Sequence, residues 1–442
     1  MLPASRLERL ISYELYGKNR KKRFLVNLLC AFVPKKKNRR LIRNYFGFGP
    51  FPNPKPVELY EAGYLNKAVE LLETDAAYRK KSCKEWLTLA ACKLAQRKYQ
   101  EAGSALNMAM AFALNGLLET EIGFAFAGFF LATGQIKTGI NFSRYFYIRV
   151  KACPVLYPLK LWDGISDLNN KTIGVTANYD WGLGDQLHFG RYLKLLKMRY
   201  PRARICLLGS KALERLFLEN KVADAYYDPA EKRSEPVRLP ALDYTADLLL
   251  LGAILAEDYQ RQEPIVYLKA GNDVSQELQS SLRNHPACQA RVAFANKGAP
   301  RPFFVRKRDV NLEYFKAIFL QNPQIHFYAC SKETQDSDFT GLDNVTNLGP
   351  LLSDLYDTAF VLERMDTVIS VETSLAALAS AMGKEVHLIS NTDTCWRFHE
   401  YQGRSLWFDN FIPYRHEGEP QWPKILEQIG RHLRERFPPK ET

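Results

Sequence analysis

The chain has 442 residues, 46% of them hydrophobic, and a formal net charge of +13 at pH 7. This length and composition are those of an ordinary multi-domain globular protein, with room for two to four domains. Residues 1–55 carry fourteen Lys or Arg against two acids, which leaves the rest of the chain with a net charge of +1. The basic character therefore belongs to one terminal segment, so we expect no nucleic-acid-binding face on the folded domains.

The basic segment at residues 1–55 has an apolar centre. Two clusters, Lys21-Lys22-Arg23 and Lys35-Lys36-Lys37, flank the apolar residues 24–33. That run is too short to cross a bilayer, which takes about twenty residues, and no small-residue cleavage site follows it. We predict a segment that lies on an anionic membrane surface and holds the protein at the inner face of the cytoplasmic membrane. A solvated basic tail and an RNA contact are the alternatives.

The eight cysteines and seven histidines are scattered along the chain. No two cysteines fall within four positions of each other, and no HExxH motif is present. This pattern predicts neither a zinc ribbon nor a redox pair and favours a reducing compartment. A metal site would need residues that converge in space, so none is predicted.

Residues 56–150 are rich in helix-forming residues with apolar periodicity and follow a Pro-rich joint at residues 49–54. Small residues recur in this region at Ala68, Ala102 and Gly139, each three positions after an aromatic or aliphatic residue. The spacing resembles the tetratricopeptide repeat, in which small residues let paired helices approach closely. Such repeats often present a concave face to a protein partner. A plain helical bundle is the alternative.

From residue 171 the pattern changes to short β-branched strands that alternate with helical stretches, which indicates parallel sheets. The predicted strands are residues 172–175, 205–208, 291–295, 325–330, 367–371 and 386–389, and a helix is predicted through residues 186–199. We therefore predict two doubly wound α/β domains, at residues 165–275 and 286–442. Ligands of such domains bind at the carboxyl ends of the strands, here in the cleft between the two halves.

The segment 365–384 has the pattern of an anion site. After the buried strand, Glu372-Thr373-Ser374 is expected to supply capping oxygens where a helix begins, and Gly383 is expected to end that helix. Unpaired backbone N–H groups and the positive end of the helix dipole would then face a diphosphate.

A second candidate site follows the first predicted strand, in the run Asp180 to His188. Gly182 and Gly184 would let the backbone pass close to a ligand, and Asp185 would face the cleft from the start of a helix. The alternative for Asp185 is a helix cap without further function.

Four motifs resemble those of a known family. Gly184-Asp185-Gln186-Leu187-His188 resembles the Gly-Asp-x-Leu motif of the heptosyltransferase-type glycosyltransferases. Residues 352–359, 366–371 and 395–398 resemble the C-terminal motifs of their tetratricopeptide-bearing relatives. The resemblance spans roughly residues 171–430 and implies a GT-B fold, with two Rossmann-like domains that bind the acceptor and the nucleotide-sugar donor, respectively. It also implies inverting, metal-independent catalysis without a cofactor.

The resemblance assigns roles to particular residues. Asp185 would be the general base that takes the proton of the acceptor hydroxyl. The donor would be held by Gly182, Gly184, Lys297, Arg308, Glu372, Thr373, Ser374 and Leu375. Arg308 matches the family position suited to neutralising the leaving diphosphate. Lys297 and Arg306 are close enough in sequence to take that role instead, and a solvated surface charge is the alternative for each.

The chain departs from the family where the usual motif reads Asp-Thr-Ser-x-Ala-His, because it has Glu372 and Ala377 in place of the Asp and the His. The predicted function is transfer of a sugar from a nucleoside-diphosphate sugar to a hydroxyl of a lipopolysaccharide or capsule-type glycan, with a glycan or lipid-linked acceptor. A protein acceptor and a non-catalytic scaffold with a decayed transferase site are the alternatives.

Overall fold

A computed structural model describes most of the chain from Lys55 onward. The described residues are 55–61, 64–74, 81–113, 119–150, 160–177, 182–229, 239–256, 266–282, 288–298, 309–390, 398, 400–401, 404–405, 407–416 and 421–439. Three predictions therefore lie outside the described residues: the membrane-surface segment up to residue 54, the donor-binding role of Arg308, and the motif at residues 395–397.

The amino-terminal part of the described chain is helical. Its helices are α1 (Pro56–Glu61), α2 (Leu65–Glu73), α3 (Cys83–Ala95), α4 (Tyr99–Ala111), α5 (Glu119–Ala132) and α6 (Ile136–Val150). Helix α3 packs on α4 and α5 packs on α6, and within each of these pairs only three residues connect the helices. The start of α3 is fixed by a capping box, in which Ser82 and Glu85 each accept the backbone N–H of the other.

The repeating small residues lie where helices come closest. Ala68 and Ala102 are buried in α2 and α4. A Cβ atom added to Gly139 in α6 would stand 2.5 Å from Cγ of Leu131 in α5, so no larger residue fits there. The close helix approach expected from the repeat pattern is thus present in the α5–α6 pair.

The first sheet contains β1 (Thr172–Thr176), β2 (Arg204–Leu208), β3 (Ala225–Tyr227) and β4 (Tyr244–Asp247), all parallel, in the order β3-β2-β1-β4. Three helices accompany it: α7 (Leu183–Arg199), α8 (Glu214–Glu219) and α9 (Leu248–Leu255). The chain first moves outward from β1 to β3 and then returns to the other side of β1. Since crossovers are right-handed, this reversal places helices on both faces of the sheet.

The second sheet repeats this plan with six parallel strands in the order β12-β9-β8-β5-β6-β7. Its strands are β5 (Ala290–Ala295), β6 (Ile325–Ala329), β7 (Val345–Asn347), β8 (Thr367–Val371), β9 (Val386–Ser390) and β12 (Phe411–Arg415), with a short antiparallel pair, β10 (Glu400–Tyr401) and β11 (Arg404–Ser405), before the last. The helices along this part of the chain are α10 (Gln276–Ser281), α11 (Leu312–Gln321), α12 (Leu355–Glu363), α13 (Ser374–Ala381) and α14 (Trp422–Arg436).

The predicted fold class is confirmed: two doubly wound parallel α/β domains follow a helical region, which is the GT-B arrangement. Interior strands such as β8 are buried along their whole length, as their β-branched sequence predicts. The helix predicted through residues 186–199 begins three residues earlier, because Gly182 is its N-cap. Within the described residues, no helix has the length and apolarity that crossing a bilayer requires.

One apolar cluster extends across both α/β domains, a second lies within the carboxy-terminal domain, and a cluster of charges reinforces the junction of the two domains. Arg215 of α8 bonds Asp354 at 3.0 Å and Asp357, both in the second domain. Its guanidinium lies 4.0 Å from the ring centre of Tyr356 and also donates to the carbonyl of Asp273. The side chain of Asp357 is only 7% exposed, so its buried negative charge depends on this arginine for an opposite charge.

The substitution Arg215→Ala is therefore expected to destabilise the protein by about 2 kcal/mol, because it leaves the carboxylate of Asp357 buried without its cation. This loss of stability is smaller than that for breaking a fully buried ion pair, since the arginine side chain is 35% exposed. The urea midpoint measures the change. Arg431→Ala is the matched control, because that arginine pairs with Glu427 on an exposed helix face and should cost below about 0.5 kcal/mol. Equal shifts in the two variants would show that the Arg215 cluster adds nothing to stability.

Candidate functional site

Two helix N-termini meet in the cleft between the sheets. A Cβ atom added to Gly184, in the first turn of α7, would lie 3.7 Å from Cα and 3.8 Å from N of Ser374, the first residue of α13. One helix follows β1 and the other follows β8, so both begin at the carboxyl ends of their strands. The positive ends of two helix dipoles therefore face the same small volume, which is a favourable place for an anion.

The prediction that the side chains of residues 372–374 cap α13 is wrong for Thr373. Thr373 is the N-cap residue, but its hydroxyl makes no capping bond and instead lies 2.8 Å from the hydroxyl of Ser370 in β8. The first N–H groups of a helix have no acceptor within the helix. Because Thr373 turns away from them, they remain directed at the cleft. Gly383 ends the helix as predicted, with a φ of +76°.

Asp185 lies in the wall of the same cleft and is buried. It is the third residue of α7, and its Oδ2 accepts the backbone N–H of the N-cap residue Gly182 at 3.0 Å. Asp185 is thus part of the local capping arrangement, which accounts for the position of the carboxylate beside the helix start. A carboxylate fixed in this way at a ligand cleft is also suited to accept a proton.

The cleft encloses about 400 Å³, a size typical of small-ligand sites. Its lining includes eight of the nine residues that the sequence singles out, which are Gly182, Gly184, Asp185, Lys297, Glu372, Thr373, Ser374 and Leu375. These residues come from the ends of β1, β5 and β8, which lie in two different sheets. The structure brings them together, and the ninth residue, Arg308, is outside the described residues.

The sequence analysis missed a fourth loop of the cleft, Ser331-Lys332-Glu333, which follows β6. The hydroxyl of Ser331 donates to Glu333 Oε2 at 2.8 Å, and Lys297 Nζ donates to the carbonyl of Glu333 at 3.2 Å. This loop could have been found from its place in the sequence, directly after a predicted strand, because ligands contact the carboxyl ends of the strands next to the switch point. The motifs in the sequence mark only the loops after β1, β5 and β8.

Charged side chains of both signs line the cleft. Lys297 and Lys332 follow β5 and β6, and both line the cleft together with the N-terminal residues of α13. Asp185 and Glu372 also line it. Desolvation raises the pKa of the nearby Cys330 thiol to about 12, so that group is neutral at pH 7. With Glu333 and Asp354 also in the lining, the cleft contains ammonium groups that can bind phosphate and carboxylates that can bind hydroxyl groups.

The motif at residues 352–359 has a structural role next to this site. Asp354 caps α12 by accepting the N–H groups of Tyr356 and Asp357 through Oδ1, at 2.9 and 3.0 Å. The same oxygen receives Arg215 from the first domain. Asp354 also lines the cleft, so this motif joins the two domains at the edge of the site.

No family model matches the chain, and no curated protein does. Among solved structures, it is similar to a glycosyl transferase family 9 protein from Veillonella parvula, with 11% identity over 62% of this chain and 99% of that chain and a TM-score of 0.46. It is also similar to the ADP-heptose LPS heptosyltransferase II of E. coli, with 10% identity over 60% of this chain and 99% of that chain and a TM-score of 0.42. A third similar structure is an O-GlcNAc transferase mutant of Thermobaculum terrenum, with 11% identity over 86% of this chain and 91% of that chain and a TM-score of 0.27. Because these identities and TM-scores are low, the fold and site assignments rest only on the sheets and the cleft described above.

Proposed function

We propose that this protein is an inverting glycosyltransferase that transfers a sugar from a nucleoside-diphosphate sugar to a hydroxyl group. The observation that carries the proposal is the meeting of two helix N-termini at Gly184 and Ser374, beside a buried carboxylate, Asp185. The first element suits a diphosphate and the second suits an attacking hydroxyl, and a sugar transferase needs both within one cleft.

In the proposed reaction the donor diphosphate lies in the cleft beside the contact between α7 and α13, in front of the N-terminus of α13. Backbone N–H groups of the first turn of α13, from Ser374 and Leu375, donate to its oxygens, and Lys297 supplies a further positive charge. As the bond between the anomeric carbon and the diphosphate breaks, negative charge grows on the leaving oxygen. Dipoles and an ammonium group already aimed at that oxygen stabilise it, so this step does not depend on a metal ion.

The acceptor hydroxyl attacks the anomeric carbon from the side opposite the leaving group. Asp185 takes the hydroxyl proton as the new carbon–oxygen bond forms, so the sugar configuration inverts in a single displacement. Glu372, at the start of the proposed phosphate-binding turn, would accept hydrogen bonds from hydroxyl groups of the donor sugar. Its additional methylene, compared with the usual aspartate, would set which sugar fits.

The proposed acceptor is a lipid-linked surface glycan of the lipopolysaccharide or capsule type, bound mainly by the first α/β domain. The basic segment at residues 1–55 supports this acceptor, because it would hold the enzyme at an anionic membrane where such glycans grow. One observation favours a protein acceptor instead. Met108, Met110 and Phe112 at the end of α4 are 37–54% exposed, a surface that a polypeptide can cover.

The test is a thermal-shift panel of the purified protein in EDTA with UDP, GDP, ADP and CMP, each alone and as sugar conjugates. We expect one nucleotide to raise the melting temperature, because a ligand at 100 times its Kd adds about 2.7 kcal/mol to the stability of the native state. Free sugars without a nucleotide are the control and should give no shift. Transfer from the selected donor to lipid-linked glycan or to protein then distinguishes the acceptors. Absence of any shift, or binding without transfer, would favour a non-catalytic scaffold.

A further inference from the structure

A second cluster of side chains that could bind a metal ion lies at the other end of the second sheet, where β8 and β9 begin. Glu385 and His387 stand at the start of β9, and His432 projects from α14. The carboxylate oxygen and ring nitrogens of these residues lie within 4.8 Å of one another. The cleft begins after Val371 at the far end of the neighbouring β8, about 13 Å away along that strand. The cluster is therefore separate from the proposed transferase site.

We propose that Glu385, His387 and His432 form a binding site for a divalent transition-metal ion, with Zn²⁺ as the preferred ion. Two imidazole nitrogens and one carboxylate oxygen are an established ligand set for Zn²⁺, with water in the fourth position. Two ligands bound tetrahedrally at about 2.0–2.1 Å stand about 3.4 Å apart. The distance from His387 Nε2 to Glu385 Oε1 is 3.5 Å, so this pair needs little movement.

The buried imidazole of His387 carries most of the argument. Its side chain is fully buried, and Nε2 makes no hydrogen bond within the described residues. Glu385 Oε1, at 3.5 Å, is beyond the usual hydrogen-bond length, so the buried nitrogen is poorly satisfied, which is costly, and an ion between the three side chains would remove that cost. The other ring nitrogen, Nδ1, lies 3.0 Å from the hydroxyl of Tyr414. Metal-bound histidines commonly have such a partner, which fixes the ring and leaves Nε2 for the ion.

The remaining two ligands are also positioned. The imidazole of His432 lies almost perpendicular to that of His387, with ring centres 4.9 Å apart. Thr367, the first residue of β8, donates its hydroxyl to Glu385 Oε1 at 3.1 Å and so holds the carboxylate at the start of that strand. The bound ion would join α14 to the sheet at β8 and β9, and would stabilise the docking of this carboxy-terminal helix.

One group competes with the ion. Arg436, in the last turn of α14, makes an ion pair with Glu385 Oε1. Its side chain is 37% exposed, so the guanidinium can move into solvent when a metal takes the oxygen. Arg436 therefore sets the affinity, since its ion pair with Glu385 has to break before the ion can bind.

The experiment uses the full-length protein without an affinity tag, stripped with EDTA, dialysed and titrated with Co²⁺ as a spectroscopic substitute for Zn²⁺. We expect one Co²⁺ per chain, with d–d absorption bands of a site without thiolate ligands, and displacement by Zn²⁺. Zn²⁺ should also raise the melting temperature of the stripped protein. His432→Ala should weaken binding by about tenfold or more. Arg436→Ala should strengthen it, because the competing cation is gone.

Arg431→Ala is the matched control for Arg436→Ala, since it removes a cation from the same helix without contact to Glu385 and should leave the affinity unchanged. Nucleotide binding at the cleft should be equal in wild type and His432→Ala, which shows that the variant is folded and separates this proposal from the transferase proposal. The metal site is refuted if Co²⁺ does not bind with saturation at one per chain, or if His432→Ala binds it as tightly as wild type.

Discussion

Replacement of Asp185 by Asn is expected to lower the rate of sugar transfer by about 10²–10⁴-fold and to leave the affinity for the donor nucleotide unchanged. An asparagine has nearly the same shape, and its carbonyl oxygen can still accept the N–H of Gly182 that the carboxylate accepts at 3.0 Å. The start of α7 should therefore be preserved. An amide oxygen cannot take the proton of the attacking hydroxyl, so only the chemical step should fail. The measurements are kcat at saturating donor and the Kd of the nucleotide by calorimetry.

The control for this prediction is Asp167→Asn. Asp167 lies in the same domain, is exposed, and its Oδ1 also accepts a nearby backbone N–H, that of Asn169 at 3.0 Å. Both substitutions thus remove a carboxylate charge and keep a local backbone hydrogen bond, but only Asp185 faces the cleft. Turnover in Asp185→Asn equal to that of Asp167→Asn would leave Asp185 as a capping residue and exclude it as the base.

Much of the fold was predictable because its signals are local. The strand at residues 367–371 is a continuous β-branched run, and its boundaries match the prediction. Gly383 adopts a positive φ, which the backbone allows most readily for glycine, so the end of α13 could be located from one residue. The common edge of the strands followed from the alternation of strands and helices, and most of the site residues followed from that edge.

The parts that were not predictable depend on contacts between distant residues. Arg215 and Asp357 are 142 positions apart, and neither one marks the other in the sequence. The hydroxyl of Thr373 could bond either to a helix N–H or to Ser370, and only the three-dimensional position of β8 decides between them. The cluster of Glu385, His387 and His432 was predictable only in part. Glu385 and His387 are two positions apart and so share one face of a strand, but His432 comes from a different element.

Gly184 provides the sharpest test of where the diphosphate binds. A Cβ atom at this position would be in ordinary contact with Ser374, at 3.7 Å from its Cα and 3.8 Å from its N. Gly184→Ala should therefore be tolerated, with a modest loss of donor affinity. Gly184→Leu would place a branched side chain in front of the N–H groups of α13. We expect it to weaken donor binding by about 100-fold or more, as for the loss of two charge-assisted hydrogen bonds, or about 3 kcal/mol.

The melting temperature has to be measured as well, because the helix preference of leucine over glycine, up to about 1 kcal/mol, is opposed by crowding of its side chain against the backbone of Ser374. Loss of binding with an unchanged or raised melting temperature would separate a blocked site from a damaged fold. Gly128→Leu in α5 is the matched control, since a Cβ atom there meets nothing within 4 Å, and its donor affinity should equal that of wild type. If Gly184→Leu binds the donor normally, the diphosphate does not lie beside the contact between α7 and α13. In that case the meeting of the two helix N-termini would be a packing feature of the domain junction and would no longer support a transferase.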